Sequence, residues 1–205
     1  MTTRQPWQPE RLILASGSPR RRQLLEEAGY RFEIVTPSES AECGLCSGEA
    51  PWELVARLAL AKARDVAARV PHGCILACDT VAECCGRILG KPADRDHAEE
   101  ILRFLSGRRH RVLSGVCLWD RPHRDPWVEV DVTELFMEPL SDAQLAEYLD
   151  SGLWEGKAGA FGYQDRLGWV RVVRGSESNV VGLPMERLAD MFARLRAERE
   201  GGGPH

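Results

Sequence analysis

The feature that most restricts the local fold is an apolar run at residues 12–15, followed at once by Ser16-Gly17-Ser18-Pro19 and three arginines. The run predicts a short buried strand. Ser18 and Pro19 are typical of the cap and first position of a helix, because proline lacks only a donor that is unpaired there anyway. The segment is therefore predicted to form a strand, a tight turn and a helix.

The three arginines bring excess positive charge to the start of this helix. Arg20, Arg21 and Arg22 lie in the first turn, where backbone N–H groups already present partial positive charge. A bound phosphate would relieve the repulsion, because guanidinium groups pair bidentately with phosphate oxygens and the small preceding residues allow close approach. Solvated surface charge is the alternative. Arg21 shares its helical face with Leu24 and Leu25, which directs it inward.

Length and composition favour one α/β domain. The chain has 205 residues and a formal net charge of −4, which argues against nucleic acid or an anionic membrane as the main partner. We expect the domain to span residues 1–200 and residues 201–205 to form a disordered tail. No apolar run approaches the roughly 20 residues of a membrane span, and no apolar signal segment opens the chain, so a soluble cytoplasmic protein is expected.

The cysteines suggest a second, weaker hypothesis. The chain has seven cysteines, several of them in apolar runs, which favours reduced thiols over disulfides. Cys43 and Cys46 have the spacing of half a zinc site, but Cys84 and Cys85 are adjacent rather than spaced. A zinc or redox module on these four residues is kept as an alternative to ordinary thiols.

Two charged residues stand where apolar neighbours are expected. Residues 51–70 carry a helical apolar stripe, and Lys62 falls inside it, so its ammonium must either reach solvent or meet an anion. Residues 74–78 predict a buried strand that ends at Asp79, and ligands of open α/β sheets bind at such strand ends. Asp79 is a candidate catalytic residue, with a helix-cap or turn role as the alternative.

The second half of the chain supplies weaker signals. Lys91 is an isolated cation in the turn Gly90-Lys91-Pro92, which alone is more typical of a surface turn. Alternation, capping and glycine signals predict, in order, a helix over 94–105, strands over 111–119 and 127–137, a helix capped by Ser141, a glycine- and aromatic-rich loop over 152–164, a strand over 168–174 and a helix opened by Pro184.

Several short motifs lie along the chain from about residue 12 to residue 188. They are Ala15-Ser16-Gly17-Ser18-Pro19-Arg20-Arg21, Leu58-Ala59 with Lys62-Ala63, Asp79-Thr80-Val81, Gly90-Lys91-Pro92, Leu105-Ser106-Gly107 with His110, Lys157-Ala158-Gly159-Ala160-Phe161-Gly162-Tyr163-Gln164 and Asn179-Val180-Val181-Gly182-Leu183-Pro184. Assembled, these motifs resemble the Maf proteins, nucleoside triphosphate pyrophosphatases related to the inosine triphosphatase fold. The resemblance implies a single α/β domain with a central mixed twisted sheet, helices around it and a cleft at the strand ends.

The resemblance also implies an activity, the hydrolysis of a nucleoside triphosphate to a monophosphate and pyrophosphate. Asp79 would accept a proton from water and, with Glu42, hold Mg²⁺ or Mn²⁺; Glu39 is the fallback for Glu42. Lys62 and Lys91 would act as catalytic cations. The triphosphate and its base would be bound by Ser16, Arg20, Arg21 and Gln164.

Departures from the family pattern leave the preferred base open. Asp165 stands where a glycine commonly follows Gln164, and Gly156 replaces an acidic residue before Lys157. The pattern looks more like the branch acting on dTTP and UTP than the branch acting on 7-methyl-GTP. A non-catalytic nucleotide-binding regulator of septum formation is the alternative function. Members of the family are often homodimers, although no residue of this sequence indicates one.

Overall fold

The computed structural model describes residues 6–42, 48–165 and 167–201, without the side chain of Glu42. Its strands are β1 (Leu12–Ala15), β2 (Glu33–Ile34), β3 (Gly73–Cys84), β4 (Arg87–Leu89), β5 (Arg109–Arg121), β6 (Trp127–Met137) and β7 (Val170–Arg174). Its α-helices are α1 (Pro19–Glu27), α2 (Pro51–Ala67), α3 (Arg95–Leu105), α4 (Asp142–Asp150), α5 (Glu177–Val181) and α6 (Met185–Gly201). Single 3₁₀ turns lie at Glu39–Glu42, Ala158–Ala160 and Tyr163–Asp165.

The described strands form one mixed, seven-stranded sheet. Its order is β2-β1-β3-β5-β6-β7, and β4 pairs with β3. β1 runs parallel to β2 and β3, whereas β3, β5, β6 and β7 pair antiparallel in succession. The predicted fold class, a mixed sheet flanked by helices, is confirmed.

The strand β1 is shorter than its neighbour β3, which leaves space beside Asp79. The β1–β3 ladder ends at the pair Ala15 and Ala77, so β3 continues without β1 beside it. The prediction that this strand ends at Asp79 is wrong: β3 continues to Cys84 because β5 pairs along its length. Asp79 therefore lies within a long strand, two residues beyond the point where its parallel neighbour stops.

Alternation along β1 and β3 divides the core between two helical layers. Ile13 and Ile75 pack with the buried side of α2, while Leu14 and Leu76 pack with Phe192 of α6. A separate core joins α3 and α4 to the far parts of β3, β5 and β6. The chain passes from one core to the other between Cys78 and Ala82, so Asp79 lies at their boundary.

Some local predictions need correction. The apolar stripe predicted over residues 51–70 includes Trp52, but this side chain lies in the first turn of α2 and is 53% exposed, so the buried part of the stripe begins after it. The short helix α5 was not predicted, since five residues with one buried side chain leave no periodic pattern. The described part of the chain contains no helix long and apolar enough to cross a bilayer.

Candidate active site

Asp79 of β3 and Lys62 of α2 form an ion pair that is largely shielded from solvent. The Nζ of Lys62 lies 2.6 Å from Oδ1 of Asp79, and the two side chains are only 7% and 14% exposed. Lys62 lies on the face of α2 that packs on the sheet, as the stripe predicted. The anion that its position demanded is thus a carboxylate of the protein itself.

A glycine opposite Asp79 allows this pair to form. Gly115 of β5 is the cross-strand partner of Asp79. A Cβ on Gly115 would lie 2.2 Å from the carbonyl oxygen of Val55, so the backbone of α2 rests directly on this glycine. That close approach brings Lys62 down to the sheet. Sequence reasoning missed Gly115, because a single glycine within a strand gives no indication of what passes over it.

Arg21 is fixed by three hydrogen bonds at the end of β1. Its guanidinium donates to the carbonyl of Gly182 at 2.8 Å, to Oγ of Ser16 at 3.1 Å and to Oγ1 of Thr80 at 3.1 Å. The Oγ of Ser16 also accepts the backbone N–H of Ser18 at 3.2 Å. The turn after β1, the middle of β3 and the end of α5 are therefore joined through one cation.

The other two arginines of α1 have different surroundings. Arg20 donates to the carbonyl of Gly156 at 3.0 Å, and burial, together with the charge of Arg21, lowers its pKa. Arg22 makes an exposed ion pair with Glu26. The excess positive charge predicted for this helix start is thus confined to Arg20 and Arg21, while Arg22 is the solvated surface residue.

These side chains line one cavity of about 450 Å³. Among the described side chains, those that face it include five cations, Arg20, Arg21, Lys62, Lys91 and Lys157, and two carboxylates, Asp79 and Glu155. Ser16 and Gln164 also line it, so the predicted substrate-binding residues and catalytic lysines all meet around the same space. Lys91 and Gln164 are exposed, whereas Ser16 and Lys62 are buried.

A second buried ion pair lies beside the same cavity, which Lys157 lines. The Nζ of Lys157 lies 2.5 Å from Oδ2 of Asp165, and the side chains are 9% and 7% exposed. The hydroxyl of Tyr148 donates to the same oxygen at 2.9 Å. Sequence reasoning quoted Lys157 and noted Asp165 only as a departure, without assigning either to the site. An unusual acid eight residues after a lysine in a glycine-rich loop was the available signal.

Candidate metal ligands fare unequally. Asp79 lines the cavity, whereas Glu39 is exposed and does not. The side chain of Glu42 lies outside the described residues. Among the described side chains no group of three His, Cys, Asp or Glu could hold a metal ion. Cys43 and Cys46 also lie outside the described residues, and the described Cys84 and Cys85 do not line the cavity.

Comparison with known proteins places this chain in a family. A family model described as Maf-like protein matches residues 11–195. This chain belongs to the Maf-like protein family. A dTTP/UTP pyrophosphatase of Rhodopirellula baltica is 60% identical over 193 residues, covering 94% of this chain and 85% of that protein. A dTTP/UTP pyrophosphatase of Syntrophomonas wolfei is 43% identical over 183 residues, covering 88% of this chain and 95% of that protein.

The likeness to solved structures is weaker. A HAM1 protein from Coxiella burnetii aligns with a TM-score of 0.49 and 16% identity, covering 90% of this chain and 98% of that chain. So loose an alignment adds nothing to the argument from the Maf relatives. The predicted relation to the inosine triphosphatase fold stays a prediction.

Proposed function

We propose that this Maf protein hydrolyses a nucleoside triphosphate to a monophosphate and pyrophosphate, with dTTP and UTP as its substrates. The observation that carries the proposal is the convergence of five cations and the Asp79 carboxylate on one cavity. A triphosphate carries several negative charges and needs such a set of cations. The names of the Maf relatives, dTTP/UTP pyrophosphatase, support both the reaction and the pyrimidine substrates.

In this proposal Asp79 accepts the proton of the attacking water. Its carboxylate lies on the long strand β3, which pairs with β5 on both sides of Asp79, and Oδ1 is bonded to Lys62. A base held in this way need not be oriented during the reaction, which is the advantage of positioned catalytic groups. Lys62 orients Asp79 and also brings a positive charge to the reacting phosphate.

The remaining cations bind the phosphates. Arg20 and Arg21 lie at the start of α1, where the helix dipole adds to their attraction for an anion. Lys91 reaches the cavity from the turn after β4 and, because it is exposed, can follow the departing pyrophosphate. Ser16 holds Arg21 in place and offers its hydroxyl to a phosphate oxygen.

A divalent cation, Mg²⁺ or Mn²⁺, is part of the proposal. The donor set fits a hard ion of this kind, because Mg²⁺ takes one or two carboxylates and completes its shell with phosphate oxygens and water rather than with a protein cage. Asp79 and, on the family resemblance, Glu42 would hold it. Bound there, the ion would offset phosphate charge and acidify water.

The alternative function, nucleotide binding without turnover, is not favoured. The Maf relatives are named as pyrophosphatases, and a pure binder would not need a carboxylate at the centre of a cationic cavity. The proposal includes a cytoplasmic location, which is supported by the five free thiols among the described residues.

The decisive experiment is a hydrolysis panel with Mg²⁺ or Mn²⁺, in which pyrophosphate and orthophosphate are quantified separately. Wild-type protein should release pyrophosphate, fastest from dTTP and UTP. Asp79→Asn should lower kcat by about 10²–10⁴-fold, the usual contribution of a general base.

Asp190→Asn is the matched control, because Asp190 is exposed on α6 and does not line the cavity. It should retain wild-type turnover. Near wild-type turnover of Asp79→Asn would exclude Asp79 as the base, and a protein that hydrolyses no nucleotide would point instead to the binding function.

A further inference from the structure

The segment that contains Gln164 is a thin wall between two cavities. Gly162 and Gln164 line the 450 Å³ cavity on one side and a second cavity of about 920 Å³ on the other. Tyr163–Asp165 is only a single 3₁₀ turn. Phe161 and Tyr163 of this segment pack against the core of α3 and α4, whereas the exposed Gln164 has open space on both faces. The position of Gln164 therefore depends more on specific bonds than on packing.

Asp165 supplies the strongest of these bonds. Its Oδ2 accepts from Nζ of Lys157 at 2.5 Å and from the hydroxyl of Tyr148 at 2.9 Å. Both partners are buried. Separating a buried charge pair leaves an uncompensated charge, which is strongly unfavourable. The pair therefore ties the beginning of the wall, at Lys157, to its end, at Asp165, and Tyr148 ties both to α4.

The backbone between the two charges is wrapped closely around them. A Cβ on Gly162 would lie 2.4 Å from Nζ of Lys157 and 2.6 Å from Oδ2 of Asp165. The space between the backbone and the ion pair is too small for even a Cβ, so a movement of the carboxylate toward Gly162 would shift the backbone. Gln164 immediately precedes Asp165 in the sequence, so a shift of the backbone at Asp165 also shifts the side chain of Gln164.

We propose that Asp165 is a positioning residue for base selection, which holds the Gln164 wall at the distance that distinguishes one base from another. This inference rests on the proposed function. It gives the unusual acid after Gln164 a role that does not require contact with the substrate, since Asp165 itself does not line the 450 Å³ cavity.

The test is Asp165→Asn, which keeps the shape and the Tyr148 contact but removes the charge. For dTTP, UTP, CTP, ATP and GTP, the ratio of kcat/KM between the best and the other substrates should narrow by about tenfold. The change should appear in KM, while kcat for dTTP at saturation stays within about threefold of wild type. Asp190→Asn is again the control.

A second variant covers failure of the first to fold. Asp165→Glu retains the charge that neutralises Lys157 but displaces the carboxylate by one methylene. It should also reduce the ratio of kcat/KM between the best and the other nucleotides. Unchanged selectivity in both variants, or an equal loss for all five nucleotides, would overturn the inference, since the latter indicates only a structural role. Absence of hydrolysis by the wild-type protein is a different outcome and rejects the proposed function itself.

Discussion

Among the described residues, two lysine–aspartate pairs with little solvent exposure lie beside the same cavity: Lys62 and Asp79 both line it, whereas only Lys157 of the second pair does. The two pairs also differ in how they are held. Lys62 and Asp79 are 17 residues apart and lie on a long helix and a long strand. Lys157 and Asp165 are eight residues apart and lie at the two ends of one irregular segment. The first pair is placed by the packing of α2 on the sheet, whereas the second itself determines the shape of its segment.

The surroundings of the two carboxylates differ in the same way. In the described part of the chain, Asp79 uses one oxygen, for Lys62, and its side chain is 14% exposed at the cavity. The side chain of Asp165 is 7% exposed, and its Oδ2 accepts hydrogen bonds from both Lys157 and Tyr148. Asp79 is therefore suited to chemistry with a ligand, and Asp165 to holding the protein together.

Lys62→Met tests the first pair and should give the largest effect. The variant keeps the length and apolar stem of the side chain but removes the positive charge beside Asp79. We expect kcat/KM to fall by about 10²–10³-fold, the usual result of removing one electrostatic contact to the transition state. Steady-state pyrophosphate release measures it.

Arg64→Met is the matched control, because Arg64 is an exposed cation two residues away on the same helix. It should stay within about threefold of wild type, since exposed charges contribute little. If Lys62→Met retained wild-type activity, the two pairs would have the same purely structural role and the contrast between them would fail.

Gly115→Ala should disrupt the first pair without touching the second. The new methyl would meet the carbonyl of Val55 at 2.2 Å, so α2 must move away from the sheet. We expect a loss of about 3 kcal/mol in the free energy of unfolding, measured by denaturant titration, because a core packed at its backbone cannot absorb a methyl group. Activity should fall as well, since Lys62 moves with α2.

Gly90→Ala serves for comparison, since a Cβ there has no neighbour within 4 Å. It should change stability by less than about 0.5 kcal/mol. A Gly115→Ala protein as stable as Gly90→Ala would mean that the helix does not rest on this glycine.

The sequence predicted the first pair far better than the second. Lys62 lies inside an apolar stripe and Asp79 follows an apolar run. Both are local signals, because the apolar residues nearby in the sequence indicate that the charged side chain is buried. That the two meet each other could not be predicted, since it depends on how α2 crosses the sheet over Gly115. The end of β3 was misplaced for a similar reason: pairing with β5 over long range keeps the strand going past Asp79.

The second pair lacked any periodic signal. Residues 152–165 contain single turns of 3₁₀ helix, whose side chains follow neither a helical nor a strand period. Glycines indicated turns but not which charges the turns bring together. The Maf resemblance directed attention to Gln164, while Asp165, the residue that departs from the pattern, makes the buried contact.

Acid pH tests the region of the second pair. The ring of His110 packs edge-on against Phe161, with centroids 5.3 Å apart, and burial lowers its pKa to about 4. Between an unfolded pKa of about 6.5 and pH 4 the unfolded chain binds a proton that the folded protein does not. His110 should therefore lower the free energy of unfolding by about 3 kcal/mol as the pH falls from about 6.5 to 4.

His110→Phe should remove this part of the pH dependence in denaturant titrations at pH 7 and pH 4. His72→Asn is the control, because His72 is exposed and its replacement removes a histidine without removing a buried ring. It should leave the pH dependence of the free energy of unfolding close to that of wild type. An identical pH dependence in wild type and His110→Phe would show that acid sensitivity arises elsewhere.

The smallest expected effect separates the two components of the second pair. Burial, together with the adjacent Asp165 charge, raises the pKa of Tyr148, so its hydroxyl remains a donor across the working range. Tyr148→Phe removes the hydroxyl, with its bond to Asp165 and its bond to the Gly162 backbone, and leaves the Lys157–Asp165 contact. The free energy of unfolding should fall by about 1.5 kcal/mol, as for a hydrogen bond to a charged group. Thermal or denaturant unfolding measures the change.

Nucleotide selectivity of Tyr148→Phe should stay closer to wild type than that of Asp165→Asn, because the charge pair still holds the segment that contains Gln164. If Tyr148→Phe altered selectivity as much as Asp165→Asn, the tie to α4 rather than the ion pair would position Gln164.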